Sequence, residues 1–150
     1  MKKFLRNAVI AATFLGAAFG AVSSADAFIY GLYDQNDSKY PMQMEDGVNL
    51  CYTHQSIGAY IDENSAKVVA EDGPIYTIAA RFIIWNIDAN RTIESTIQFE
   101  YDTDNHIMYS VWKDGSRHVV NRPTQESCGA EMRTGAMAMQ VWHGAMGTDW

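Results

Sequence analysis

Basic residues are scarce in this sequence, with 11 Lys and Arg against 18 Asp and Glu, and they form no cluster. A negative field of this kind repels nucleic acid and anionic membrane surfaces, and no basic patch exists to offset it locally. The composition therefore argues against a nucleic-acid partner.

Catalytic and nucleotide-binding signatures are missing as well. The sequence contains no G-x-S-x-G, no H-E-x-x-H, no P-loop and no glycine pattern of a dinucleotide-binding turn. It also contains no internal repeat, no low-complexity tract and no linker rich in Pro, Gly or Ser. These absences favour a single domain, lean against an enzyme and indicate no cofactor.

The first 27 residues have the features of a secretory signal peptide. A cationic start precedes an uncharged stretch from Val9 to Val22, which is too short to cross a hydrocarbon core of ~30 Å as a helix. Small residues follow, and we expect cleavage after Ala27 or, alternatively, after Ala25. No cysteine near these positions could carry a lipid anchor. The sequence thus predicts a mature protein in the periplasm or outside the cell, without a membrane span.

Cleavage after Ala27 removes three basic residues and one acidic residue. It leaves 8 of the 11 basic and 17 of the 18 acidic residues, so the mature net charge is −9. The mature chain of 123 residues keeps 15 aromatic side chains, which is enough for one ordinary hydrophobic core. Nothing in it indicates a second domain.

Only two cysteines are present, Cys51 and Cys128, and both fall in the mature chain. An even number in an exported protein favours a disulfide. Closing a loop of 77 residues would stabilise the fold by roughly 4 kcal/mol in the chain-entropy model. The alternative is a nucleophilic thiol, since His54 follows Cys51 by three residues, but no signature of a cysteine hydrolase surrounds either cysteine.

Two segments in the middle of the chain predict neighbouring strands. Thr92 to Tyr101 alternates apolar and polar residues, as a strand with one buried and one wet face does. Ile75 to Ile87 is apolar at both alternating positions and rich in β-branched and aromatic residues, which favours a central strand covered on both faces. The polar stretch Asp88–Arg91 joins them as a hairpin loop.

Further strands are expected on either side of this pair. Downstream, Asp102–Asn105 turns the chain into a strand from His106 to Lys113, and Asp114-Gly115 is typical of a type I′ hairpin leading into Arg117–Val120. Upstream, we expect two short hairpins. The first would pair Tyr40–Glu45 with Val48–Thr53 across Asp46-Gly47. The second would pair Ile57–Ile61 with Lys67–Glu71 across Asp62–Ser65, with a helical turn at Ile57–Ile61 as the alternative.

The C-terminal part changes to a helical pattern. Thr124 or Ser127 can cap a helix dense in Ala and Met. Its apolar face has spacings of four and three residues and is formed by Met132, Ala136, Met139, His143 and Met146. Its glycines would let it lie close to the sheet, and a disulfide at Cys128 would tie its start to the early strands.

Residues with possible chemical roles are few and scattered. Ser116 and His118 share a strand face, and Glu94 and Glu100 lie on the wet face of the clean strand, but a solvated surface explains these as well. Acidic loops such as Asp34–Ser38 offer oxygen ligands for calcium. However, Lys39 stands where an EF-hand requires glycine, so Asx-rich turns explain these loops without a metal.

The sequence therefore predicts a single α+β domain, an antiparallel meander of about five to seven strands with one C-terminal helix packed on it. A pocket between helix and sheet is expected, and Trp85, Tyr109 and Trp112 are candidates to line it. We expect an exported, non-catalytic binding or interaction module. The alternatives are an envelope structural or assembly protein, or a hydrolase built from Glu94, His106, Ser116 and His118. The sequence identifies neither a protein partner nor a small-molecule ligand.

Overall fold

The structure, a computed structural model, describes residues 39–124, 126–127 and 129–150. Six antiparallel strands form one sheet in chain order and a helix follows them, which confirms the predicted α+β meander. The elements are β1 (Asn49–His54), β2 (Ile57–Asp72), β3 (Ile75–Asn86), β4 (Arg91–Asp102), β5 (Ile107–Val111), β6 (Arg117–Val120) and α1 (Gly129–Met146).

Two predictions fall on residues that are not described. The signal peptide, residues 1–27, and Cys128 both lie outside the described residues, so export and the disulfide stay predictions. Within the described ranges, no helix combines the length and the apolar character needed to cross a membrane.

β3 lies in the middle of the fold and is covered on both faces. Ile78 and Ala80 on one face belong to the main core, which includes Met132 and Val141 of α1; we call this the helix face. Ile83 on the other face belongs to a second buried cluster, and we call this the outer face. The second cluster also contains Tyr40, Val48, Leu50 and Tyr60, with Met44, Trp85 and Ile87 packed against it. The doubly apolar pattern of β3 thus reflects two separate hydrophobic layers.

The predicted hairpin across Asp62–Ser65 is wrong. Residues on both sides of it belong to one long strand, β2, which pairs with β3 throughout. Asp62 lies opposite Arg81 and Lys67 opposite Ala79, so the residues between them form a bulge. The side chain of Asp62 accepts a hydrogen bond from the Asn64 backbone N–H at 3.1 Å, which satisfies the polar turn inside the bulge.

The β5–β6 hairpin forms where it was predicted, but its turn is not type I′. That type needs positive φ at both central residues, and here only Gly115 has it, at +82°. The N–H of Gly115 donates to the carbonyl of Trp112 at 2.9 Å, and the N–H of Trp112 donates to Ser116 at 3.0 Å. The connection is therefore a type I turn over Lys113-Asp114 followed by a glycine bulge.

The first predicted hairpin is present in reduced form. Gly47, with φ at +85°, makes the turn, and its N–H donates to the carbonyl of Met44 at 2.9 Å. Only an isolated bridge between Gln43 and Asn49 represents the first of the two strands. The segment packs on the outer face instead of extending the sheet.

The helix lies close to the sheet because of its small residues. A Cβ added to Gly135 would be 2.7 Å from the carbonyl oxygen of Asn121, and one added to Gly144 would be 2.6 Å from that of Glu63. The buried positions of α1 include Met132 and Ala136 of the predicted face; Met139 and His143 are only half-buried. The full set of buried helix residues is Met132, Gly135, Ala136, Ala138, Val141 and Trp142.

Candidate functional site

The largest cavity of the described residues is a cleft of about 870 Å³ between the first half of α1 and the strands β4 to β6. It forms because β5 and β6 are short and leave the helix face of β4 partly uncovered. The apolar lining is made of Phe82, Ile97, Phe99, Val111, Trp112, Val119, Val120, Ala130 and Met137. The polar lining is made of Thr96, Gln98, Ser110, Lys113, Asp114, His118, Asn121, Glu131 and Thr134.

The floor of the cleft follows from strand register. Phe99 lies opposite Ser110, which in turn lies opposite His118, so these three side chains share the helix face. Phe99 is fully buried and Val120 nearly so. An alternating strand thus supplies the apolar floor, and the next strands supply two polar groups in the same row.

The rim exposes two large apolar side chains. Trp112 is 62% exposed and Val119 is 61% exposed. The Trp112 indole contacts the His118 imidazole, with ring centroids 5.0 Å apart. Exposed apolar side chains next to an apolar cleft indicate a surface that binds a ligand or a partner.

The charged groups at the cleft differ in how well they are paired. Asp114 accepts hydrogen bonds from the hydroxyl of Ser116 at 2.6 Å and from its N–H at 2.9 Å, and the hydroxyl is the main cause of its lowered pKa. Glu131 accepts a hydrogen bond from Asn121 Nδ2 at 3.1 Å. Lys113 lines the cleft as well. The mouth therefore carries two carboxylates and one ammonium group.

The residues of the hydrolase hypothesis do not converge on one site. Ser116 Oγ is 3.4 Å from His118 Nε2 but donates to Asp114, so its proton is not directed to the imidazole as in a serine nucleophile. Glu94 forms an ion pair with Arg81 at 2.9 Å. His106 Nδ1 lies 3.2 Å from the hydroxyl of Tyr101, in the loop before β5.

The three predicted pocket aromatics lie in different places. Trp112 lines the cleft. Trp85 packs on the outer face, with its ring edge-on to Tyr40 at a centroid distance of 5.8 Å. Tyr109 lies opposite Glu100 on the outer face, where the Arg117 guanidinium is 4.9 Å from its ring centroid. Alternation along the strands thus places two of them on the face away from the helix.

Cys51 is a free, fully buried cysteine in the described part of the chain. Burial, and to a lesser degree the charge of Glu63, raises the pKa of its thiol far above the ordinary value. A protonated, inaccessible thiol is a poor nucleophile, which argues against the catalytic reading. Its predicted disulfide partner Cys128 lies outside the described residues.

The acidic loops that are described make ordinary turns. The carboxylate of Asp102 accepts hydrogen bonds from the N–H groups of Asp104 and Asn105, both at 3.0 Å. Among the described residues, no group of three His, Cys, Asp or Glu side chains is arranged to hold a metal ion. The loop Asp34–Ser38 lies outside the described residues.

A second, smaller depression of about 440 Å³ lies on the other side of β4 and contains Arg81 and Glu94. Its main cation is already neutralised, because Arg81 contacts Asp46 at 2.8 Å and Glu94 at 2.9 Å. Pairing on both sides of the guanidinium leaves little unmet charge for a ligand. The apolar cleft is therefore the stronger candidate.

Most of the cleft could not be read from the sequence. Thr134 and Met137 are ordinary helix residues, and Gln98 is an ordinary residue of the wet strand face. The one usable signal is the length difference between the clean strand and the short strands after it, which leaves part of β4 uncovered. Comparison of the chain with protein-family models, with curated proteins and with solved structures gives no match.

Proposed function

We propose that the mature protein is an exported, non-catalytic binding module that takes an apolar small molecule in the cleft between α1 and β4–β6. The observation that carries this proposal is the cleft itself, with a volume of about 870 Å³ and a largely apolar lining from both helix and sheet. Ligand pockets in proteins are typically apolar cavities of about 300–1,000 Å³ with a few polar groups that orient the ligand.

The polar groups of the cleft are placed for orientation. They form a rim around the apolar floor, with the ammonium of Lys113 and the carboxylates of Asp114 and Glu131 at the mouth. An apolar body with a polar end fits such a distribution, because the body would be buried and the end would remain hydrated or paired.

Export and the disulfide belong to the same proposal. The support for export is the signal-peptide pattern of residues 1–27. The support for a Cys51–Cys128 bond is geometric: Arg133 of α1 lies over the ring of Tyr52, at 5.6 Å from its centroid, so the start of the helix is beside Cys51. Such a bond would hold the helix over the cleft.

Binding can be tested with an anilinonaphthalene sulfonate dye, whose fluorescence rises in apolar sites. We expect wild-type protein to bind it and Thr134→Trp to bind it at least about tenfold more weakly, because the indole would occupy the cleft from the half-buried helix position. The matched control is Thr92→Trp, the same change at an exposed position of β4 outside the cleft. Equal binding by both variants, or none by the wild type, would reject the cleft as the site.

A second candidate function, an envelope assembly protein, is favoured by one observation. β6 is the last strand in the sheet, and its Val119 is 61% exposed. Unpaired edges with exposed apolar residues are sites of strand addition by another chain. If this is the function, Val119→Lys dissociates an assembly seen by native mass spectrometry, and Val69→Lys, on the exposed end of β2, does not.

A further inference from the structure

Part of β4 has an open edge. β5 pairs with β4 only from Gln98 to Asp102, so among the described residues no strand lies beside Arg91–Ile97 on that side. Ile93, in the middle of this stretch, is 47% exposed although it alternates in phase with the buried Phe99. An edge of this length presents free backbone groups that another extended segment can pair with.

The described chain begins beside one end of this edge. Lys39 Nζ is 3.4 Å from Asp88 Oδ1, in the loop between β3 and β4. Tyr40 is buried and packs against Trp85, close to the end of β3. The residues that precede Lys39 therefore enter the fold next to Arg91, where the open edge starts.

The preceding residues have the composition and the length to use this edge. Residues 28–38 lie outside the described residues; they read Phe-Ile-Tyr-Gly-Leu-Tyr, followed by Asp-Gln-Asn-Asp-Ser. Eleven extended residues reach up to about 36 Å. The seven residues of the edge span about 24 Å, so several residues remain to enter the cleft at the far end, where Thr96 and Ile97 line it.

We propose that residues 28–38 return along the open edge of β4 and place Phe28–Tyr33 in the cleft. The segment runs antiparallel to β4, because it approaches Lys39 at the end where β4 begins. Charge complementarity supports this occupant: cleavage after Ala27 makes a cationic α-amino group at Phe28, and Asp114 and Glu131 lie at the mouth of the cleft.

This occupant regulates the site, an inference that rests on the proposed function. A segment tethered to the fold has a high effective concentration at the cleft, so an external ligand must displace it to bind. Binding is then weaker than the cleft alone would allow, and ligand affinity depends on the sequence of the first mature residues.

Hydrogen exchange of the mature chain, residues 28–150, tests the docking without any ligand. We compare wild type with Ile29→Asp/Leu32→Asp, which puts charges on the apolar anchors, and with the matched control Gln35→Asp/Ser38→Asp, which adds the same charge to the polar part. We expect exchange in Arg91–Ile97 to be about tenfold faster in the anchor variant than in the wild type and the control. Exchange at the core residue Ile78 should be unchanged.

Two results would overturn the docking. One is equal exchange of Arg91–Ile97 in all three proteins. The other is protection of this edge that increases with protein concentration, which would assign it to a second copy of the chain. A variant that also loses protection at Ile78 has a general folding defect, and the milder Ile29→Ser/Leu32→Ser then replaces it in the same comparison.

Dye binding by the same three proteins separates the docking from the proposed function. If both are right, the anchor variant binds the anilinonaphthalene sulfonate dye several-fold more tightly than the wild type and the control. An exchange difference without dye binding in any protein supports the docking and rejects the small-molecule function. Dye binding that is equal in all three, with an exchange difference present, rejects the regulatory part of the inference.

Discussion

The backbone carbonyl of Glu63 lies against Gly144, so close that a Cβ on Gly144 would be 2.6 Å from the oxygen and 2.8 Å from the Cβ of Ala66. Glu63 belongs to the β2 bulge and Gly144 to the last turns of α1. The bulge and the glycine therefore fit each other, and together they set the distance between helix and sheet.

Gly144→Ala tests this fit. In an exposed helix interior the change would stabilise by up to ~1 kcal/mol, because Ala has the higher helix propensity. Here the added methyl must displace a backbone carbonyl, at a cost of about 1–3 kcal/mol. We expect the free energy of unfolding in urea to fall. Thr134→Ala, in the same helix but beside the open cleft, is the control for propensity alone, and a Gly144→Ala protein more stable than wild type would disprove the close contact.

Glu63 also predicts a pH dependence. Its side chain is mostly buried, and this burial raises its pKa, an effect that nearby His143, with Nδ1 at 3.9 Å, partly offsets. Because the folded state holds the proton more tightly than the unfolded state, the contribution of Glu63 to stability is present below the ordinary value of 4.5 and decreases as the pH rises through the raised pKa.

Glu63→Gln should therefore gain stability relative to the wild type as the pH rises above 4.5. The measurement is the difference between the two urea unfolding free energies at a series of pH values, because exposed carboxylates common to both proteins cancel. Glu71→Gln, at an exposed position of β2, is the control and should show no such trend. A constant difference across the pH range would contradict the assignment to Glu63.

The sequence predicted the parts of the fold that depend on a local period. β4 alternates over its whole length, and β3 is apolar at both alternating positions because two hydrophobic layers cover it. The β2 bulge was mistaken for a hairpin because Asp62–Ser65 has real turn chemistry. Only the pairing of both flanks with β3, a long-range contact, shows that the strand continues.

The cleft was predicted in outline but its residues were not. A pocket between helix and sheet follows from the layer arrangement, yet which aromatics face it depends on strand register. Tyr109 and Trp112 are three residues apart, and only Trp112, beyond the end of β5, turns into the cleft. Registers that differ by one residue reverse every side chain, and the sequence alone does not fix them.

The hairpin next to the cleft gives a third prediction. Gly115 has φ at +82°, and nothing lies within 4 Å of where its Cβ would be, so only backbone conformation opposes substitution. We expect Gly115→Ala to lower the free energy of unfolding by about 1–2 kcal/mol. Gly115→Asn should cost less, since Asn tolerates this conformation. Equal losses in thermal or urea unfolding would show that the left-handed backbone is not the cause.

The proposed disulfide gives the last prediction. Mature protein purified under oxidising conditions should gain about 2 Da on reduction, since reduction adds two hydrogens. Cys128→Ser should lower the free energy of unfolding by about 2–4 kcal/mol, because the unfolded chain regains the freedom of a 77-residue loop, and it should remove the effect of reductant on stability. Ser127→Ala is the neighbouring control and should keep both the mass shift and the sensitivity to reductant. A wild-type protein that shows neither would leave Cys51 as a buried core thiol, with its stabilising role limited to packing against the main core beneath the helix.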